Sequence, residues 1–320
     1  MIILKRLFVI LAALISLFTT PDAGQYADNY SGHEFPIIAA ESQKPGTVRV
    51  MSYNIRCWDV NGEPAVQRTD PGARQIMEVM PDSVGIQEAT PQWMEALDKK
   101  LIAYDWVGLD REEGISPMEG GEACPIFYLK SRFKLLDSGT FWLSDTPDVP
   151  SFGPGAACRR ICTWAKLQNR VTKEVYVHVN SHFDHKSEAA RAAGAEIVNA
   201  YIAEHFADVP VVFTADMNAS SEEQTYATMT SNLCDASLVA DKAMTCATFH
   251  GGNPETHTDS VVYTGDYVLC SPNIHVREFR VVTKGVDGRF TSDHFPIYAD
   301  MIMPKANCKI HETAVKPFDC

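Results

Sequence analysis

Seven polar residues stand where apolar runs stop. Asn54 follows the run from Val48 to Tyr53, Glu88 follows Ser83 to Gln87, and His182 follows Val175 to Ser181. Asp216 and Asn218 come just after Val211 to Ala215, and Asp293 and His294 come just before Phe295-Pro296-Ile297-Tyr298. The set amounts to three carboxylates, two carboxamides and two imidazoles. Glu88 and Asp293 offer the oxygen donors that a hard cation such as Mg²⁺, Mn²⁺ or Ca²⁺ prefers, and the Asn54 carboxamide adds a neutral oxygen or an orienting donor. A cation held this way can polarise a phosphoryl oxygen and stabilise a leaving oxygen. Any one of these residues alone would equally suit a solvated turn or a core hydrogen bond. The ordered set points to chemistry.

Such a set needs rigid strand ends that converge at one rim. The sequence supplies strands in sufficient number. Thr47 to Ile55 is rich in β-formers, and Asp82 to Gln87 is a short apolar strand. Further strands fit 104–109, 125–130, 133–143, 161–168, 174–182, 209–213, 266–270, 275–283 and 295–303. Helices fit 70–80, with Asp70 as cap and Pro71 at the first position, and also 91–101 and 186–206. Turn chemistry fills 114–121, 147–155 and 251–258. With no internal repeat or splitting linker, residues 47–303 read as one α/β domain.

The chain has 320 residues, 28 Lys+Arg, 41 Asp+Glu and a formal charge of −13. This acidity argues against binding through a broad basic face. Lys5 and Arg6 precede a twelve-residue run, Leu7 to Phe18, in which only Ser16 is polar. Such a run makes about 18 Å of helix, short of the ~30 Å of a bilayer core. Residues 1–24 therefore read as a secretory leader ending near Ala23 or Gly24, residues 25–46 as a flexible segment and 304–320 as a tail. The expected location is extracellular, periplasmic or in the secretory lumen. There the nine cysteines suit disulfides better than metal sites, with Cys308–Cys320 and Cys234–Cys246 as candidate pairs.

Six ordered motifs resemble the endonuclease/exonuclease/phosphatase superfamily across residues 47–303. They are Ser52-Tyr53-Asn54-Ile55-Arg56, Gly85-Ile86-Gln87-Glu88-Ala89, Asn180-Ser181-His182-Phe183-Asp184-His185, Thr214-Ala215-Asp216-Met217-Asn218, Gly265-Asp266-Tyr267-Val268-Leu269 and Ser292-Asp293-His294-Phe295-Pro296. Phe141-Trp142-Leu143-Ser144, Arg160 before Cys162-Thr163-Trp164, and Asp287-Gly288-Arg289 resemble its secreted hydrolase branch, which is akin to deadenylase-type exonucleases. The resemblance implies a four-layer α/β/β/α sandwich of two packed mixed sheets flanked by helices.

It also implies roles. Glu88, Asn54 and Asp293 would hold Mg²⁺ or Mn²⁺. Asp216 would orient or deprotonate the attacking water, and Asn218 would hold it or a phosphate oxygen. His294 paired with Asp266 would stabilise the transition state or donate a proton, and His182 would bond the scissile phosphate. Arg160 and Asp184 are expected at the substrate, with Glu122 as a supporting partner. The expected activity is a phosphodiesterase, first of all a nuclease acting on nucleic acid or nucleotides as a monomer without a stable membrane partner. A phosphomonoesterase or lipid-headgroup hydrolase is the alternative, and a non-catalytic binding protein on the same scaffold the third reading.

Overall fold

The computed structural model describes residues 47–252, 264–287 and 289–305. The expected leader, flexible segment, most of the tail and the Cys308–Cys320 pair lie outside these. Among the described residues no helix is long and apolar enough to cross a membrane.

Among the described residues thirteen strands form two mixed sheets. One contains β1 (Thr47–Asn54), β2 (Ser83–Gln87), β3 (Tyr104–Val107), β4 (Ile126–Leu129), β10 (Lys242–Met244), β12 (His275–Val281) and β13 (Ile297–Ile302), in the order β10-β12-β13-β1-β2-β4-β3. The other contains β5 (Phe133–Trp142), β6 (Ile161–Asn169), β7 (Val175–His182), β8 (Val211–Asp216), β9 (Cys234–Asp235) and β11 (Asp266–Cys270), in the order β5-β6-β7-β8-β11-β9. Helices α1 (Ala65–Val79) and α2 (Pro91–Lys100) cover the first sheet through Ile76, Val79, Trp93 and Leu97. Helix α3 (Glu188–His205) and the short α4 (Gln224–Thr230) and α5 (Ala236–Val239) complete the helices, with α3 covering the second sheet through Ala195 and Val198. This is the four-layer α/β/β/α sandwich expected from the sequence.

Helix α1 departs from expectation. It begins at Ala65 rather than Asp70, and Pro71 lies inside it. The cap signal at Asp70 is overridden by tertiary anchoring. The fully buried Arg68 donates to the carbonyls of Ile55, Arg56, Trp58, Glu63 and Thr291, which fixes the first turn onto the adjoining loops.

The sheets meet through two kinds of layer. Toward the start of β1 the interface is apolar, with Val48, Val50, Leu167, Val212, Val268 and Met301 packed together. Nearer the end of β2 it is a polar seam. His178 exchanges hydrogen bonds with Ser83 Oγ at 2.9 Å and Thr214 Oγ1 at 2.8 Å, while Gln87 Nε2 donates to Asn180 Oδ1 at 2.7 Å and Ser52 Oγ at 3.1 Å. Gly85 is obligatory here, because a Cβ on it would lie 2.1 Å from Thr214 Oγ1 and 2.4 Å from Asn180 Oδ1. The seam fixes the register of the two sheets one residue before Glu88. The expected Cys234–Cys246 pair packs on the same apolar cluster, but the strand register sets Cys234 opposite Cys270.

Candidate active site

The parallel pairing of β1 with β2 sets Asn54 beside Gln87, and the parallel pairing of β7 with β8 sets His182 beside Asp216. The antiparallel pairing of β11 with β8 sets Asp266 opposite the same Asp216. Asp293 and His294 arrive from the segment before β13, held by Ser292 Oγ, which donates to the Asn54 carbonyl at 2.6 Å. Two sheets thus deliver the expected residues to one rim. Glu88 and Asn218 take left-handed φ values of 63° and 49°, as does Arg56 at 58°. For side chains this conformation is unfavourable and persists only where surroundings enforce it. Here the enforcing contacts are those of the site itself.

Asn54 Nδ2 donates to Glu88 Oε1 at 3.0 Å and to Asp216 Oδ2 at 2.8 Å, joining the carboxylates of the two sheets. Glu88 Oε2 accepts from the Cys57 amide at 2.8 Å, and the Asn218 amide donates to Asp216 Oδ1 at 2.9 Å. Burial alone would raise the Glu88 pKa, but the His182 charge and hydrogen bonds from Cys57 and Asn54 hold it down to about 2. Glu88 is therefore ionised throughout the neutral range.

The two imidazoles are held differently. His294 Nδ1 lies 2.8 Å from Asp266 Oδ2, and its Nε2 is 3.8 Å from Asp216 and 3.9 Å from Asp293. Burial favours the neutral ring, yet the charges of Asp266 and Asp216 and the Asp266 hydrogen bond push its pKa up to about 10. Burial raises Asp266 as well, so the pair keeps its proton at neutral pH. His182 Nε2 lies 2.9 Å from Asn218 Nδ2, which also donates to the Phe183 carbonyl. His182 Nε2 is also 3.5 Å from Asp216 Oδ2, and its Nδ1 lies 3.7 Å from Glu122 Oε1. Glu122 in turn accepts from Arg111 Nη1 at 2.5 Å, and despite burial His182 and Arg111 hold its carboxyl below the ordinary value.

The donor set fits a hard divalent cation. Glu88, Asp216, Asp266 and Asp293 are all buried at one rim, and this concentration of negative charge exceeds what the His294 imidazolium and Arg56 offset. Donor atoms of Asp216, Asp266 and His294 lie within 4.8 Å of one another. A protonated His294 is a poor ligand, however, because metals bind the neutral ring. Glu88 and Asp293 are the buried carboxylates of the first sheet that would supply oxygen ligands, while Asn54 turns Nδ2 toward Glu88 and Asp216 and its Oδ1 accepts from the Arg56 amide at 3.0 Å.

Every expected catalytic and metal residue lies at this rim. Arg160 lies just before β6, the neighbour of β7, and Asp184 two residues past His182 at the end of β7. Sequence reasoning missed Arg68, whose carbonyl anchors hold the loop after Asn54, and Ser292, which ties Asp293 to β1. Ser292 carried a signal in its place inside the Ser-Asp-His-Phe-Pro motif.

A buried, cation-fitted carboxylate and imidazole constellation at the rim of an α/β/β/α sandwich defines a phosphoester hydrolase of the metal-dependent type. Residues 51–294 match the model of the Endonuclease/Exonuclease/phosphatase family, and the chain belongs to that family. Among solved structures, it is similar to an endonuclease/exonuclease/phosphatase from Bacteroides vulgatus, at 31% identity and a TM-score of 0.74, covering 81% of this chain and 99% of that one. It is equally similar to a mannosyl-6-phosphatase of Bacteroides thetaiotaomicron, at 30% identity and a TM-score of 0.74, over 80% and 100% of the two chains. The catalytic domain of human Nocturnin shares the fold at 18% identity and a TM-score of 0.62, over 81% and 94%. No curated protein sequence matches the chain.

Proposed function

We propose that the chain is a metal-dependent phosphomonoesterase acting on a small, polar phosphate ester. The observation that carries this reading is that four of the arginines around the site, Arg56, Arg111, Arg159 and Arg289, are paired with carboxylates. Arg111 bonds Glu112 and Glu122, Arg159 bonds Glu112 at 2.7 Å, Arg289 lies 3.3 Å from Glu63, and Arg56 lies 3.4 Å from Asp293. A nucleic-acid track needs cations facing a run of phosphates, and these face carboxylates of their own chain. The likeness to a mannosyl-6-phosphatase supports a sugar phosphate as substrate.

In this reading Glu88 and Asp293, with Asn54, would hold Mg²⁺ or Mn²⁺. The bound cation supplies Lewis acidity at a phosphoryl oxygen and charge balance for the dianionic substrate. Asp216, fixed by Asn54 and the Asn218 amide, orients and deprotonates the attacking water. His294, kept protonated by Asp266, faces the phosphoryl oxygens as a cation, and His182 adds a donor from the other sheet. The same proposal places the protein outside the cytoplasm, on the strength of residues 1–24. Cell fractionation with intact mass checks this, and full-length protein confined to the cytoplasm would overturn it.

A substrate panel with Mg²⁺ or Mn²⁺ tests the activity, using hexose 6-phosphates, inositol phosphates, an aryl phosphodiester, plasmid DNA, poly(A) RNA and sphingomyelin. Hexose phosphates are expected to be turned over fastest, with Asp216→Asn slower by at least about 100-fold. Faster turnover of DNA or RNA would restore the nuclease expected from the sequence. Activity that survives EDTA would remove the metal from the scheme.

A further inference from the structure

Four arginines among the described residues are buried: Arg49, Arg68, Arg160 and Arg191. In three of them every guanidinium nitrogen has an acceptor. Arg49 bonds Asp300 twice and the Val79 carbonyl. Arg68 bonds five carbonyls. Arg191 bonds Glu223 and the Asp184 carbonyl. Arg160 is different. Only 5% of its side chain is exposed, its Nη2 lies 3.0 Å from His185 Nδ1, and Nε and Nη1 have no hydrogen-bond partner. The nearest carboxylate oxygen, Asp184 Oδ2, stands 3.9 Å from Nε. That carboxylate is already engaged by the amides of Ala157, Lys186 and Ser187. Leaving a buried charged donor without an acceptor costs more than the ~1–3 kcal/mol of a neutral one.

Its position ties it to the site. The register of β6 and β7 pairs Cys162 with Ser181, and Ser181 Oγ donates to the Ile161 carbonyl at 2.8 Å. Arg160 therefore lies about one strand spacing, roughly 5 Å, from the segment that carries His182. His185, three residues past His182, is exposed and contacts the guanidinium through Nδ1.

Cys158, Asp184 and His185 have donor atoms within 4.8 Å of one another, which raises a metal as one occupant. The Asp184 oxygens are already taken, and the Arg160 charge beside them repels a cation. An anion has the complementary chemistry. It would give Nε and Nη1 the acceptors they lack.

We propose that Arg160 and His185 form a second anion site beside the catalytic pocket, which receives an anionic group of the substrate other than the scissile phosphate. The substrate class is then a phosphate ester bearing a second phosphate, sulfate or carboxylate. The inference rests on the phosphoesterase reading, but its first test needs no turnover.

Inorganic sulfate is the probe, titrated against the full chain in EDTA and followed by thermal shift and calorimetry. Saturable stabilisation is expected in the wild type and in Asp216→Asn, and its loss in Arg160→Met. Arg160→Lys, which keeps the charge and loses the fork of donors, should bind about tenfold more weakly. It also serves if the Met variant does not fold. Equal stabilisation of wild type and both Arg160 variants, or none in the wild type, overturns the site and leaves a guanidinium served by structural water. Kinetics supply the second readout. The KM for a hexose bisphosphate should rise at least about tenfold more in Arg160→Lys than the KM for a hexose monophosphate. Parallel changes in the two KM values overturn the assignment to substrate. A sulfate site in a protein inert on every phosphate ester sinks the activity instead, so the two failures are distinct.

Discussion

At the start of β1, Arg49 forms a two-pronged contact with Asp300 at 2.6 and 2.7 Å, its amide donates to Asp82, and Arg132 closes on the other Asp82 oxygen. At the other end of the same strand, roughly 16 Å away by strand rise, lies the rim with Glu88, Asp216 and His294. Both ends bury charged side chains. At the Arg49 end they satisfy one another. At the rim several do not: Arg160 Nε and Nη1 and His182 Nδ1 are buried without hydrogen-bond partners. Buried polar groups are normally paired, so the contrast separates an end built to hold the sandwich together from an end whose partners arrive with a ligand.

Removing a satisfied guanidinium should have the largest effect. Arg68→Met deprives five carbonyls of their donor and is expected to cost about 3–5 kcal/mol, read as a fall in melting temperature by circular dichroism. Because two of those carbonyls belong to Ile55 and Arg56, activity should fall with it. A shift under 1 kcal/mol would show that water replaces the side chain and that the contrast between the ends is overstated.

His178 probes the seam between the sheets. Its ring is fully buried and satisfied by two hydroxyls, and burial lowers its pKa to about 3. The unfolded ring titrates near its ordinary value, so between pH ~6.5 and ~3 the unfolded state binds a proton that the folded state refuses. This contribution to stability is full above that window and lost as pH falls through it, by up to about 1.4 kcal/mol per pH unit. Urea unfolding of wild type and His178→Gln across the window checks the sign, and identical pH slopes would remove His178 as the cause.

The smallest effect belongs to Arg160. Arg160→Met deletes a buried charge two of whose nitrogens lack acceptors, and its unfolding free energy without ligand should stay within about 0.5 kcal/mol of wild type or rise. A loss comparable to that of Arg68→Met would mean that the protein does satisfy this guanidinium and would join the rim to the structural end.

What the sequence made legible follows the same division. Asn54, Glu88, His182, Asp216 and the Asp293–His294 pair could be read because each ends or begins an apolar run, and strand ends are set by local pattern. Arg68 could not. It sits on a helix among polar neighbours, and its burial depends on carbonyls as distant in sequence as Thr291. The early start of α1 was hidden for the same reason. The seam was legible only as strands, since Ser83, His178 and Thr214 meet through the packing of two sheets and not through any periodicity within one.

The site draws Asn54, Glu88, Asp293 and His294 from one sheet and His182, Asp216 and Asp266 from the other. Neither sheet alone holds both an attacking group and the carboxylates that face it. The full set is assembled only where the two sheets pack together. Along a denaturation curve, turnover should disappear with the global transition rather than ahead of it. A chain truncated within either sheet should yield no weakly active remnant.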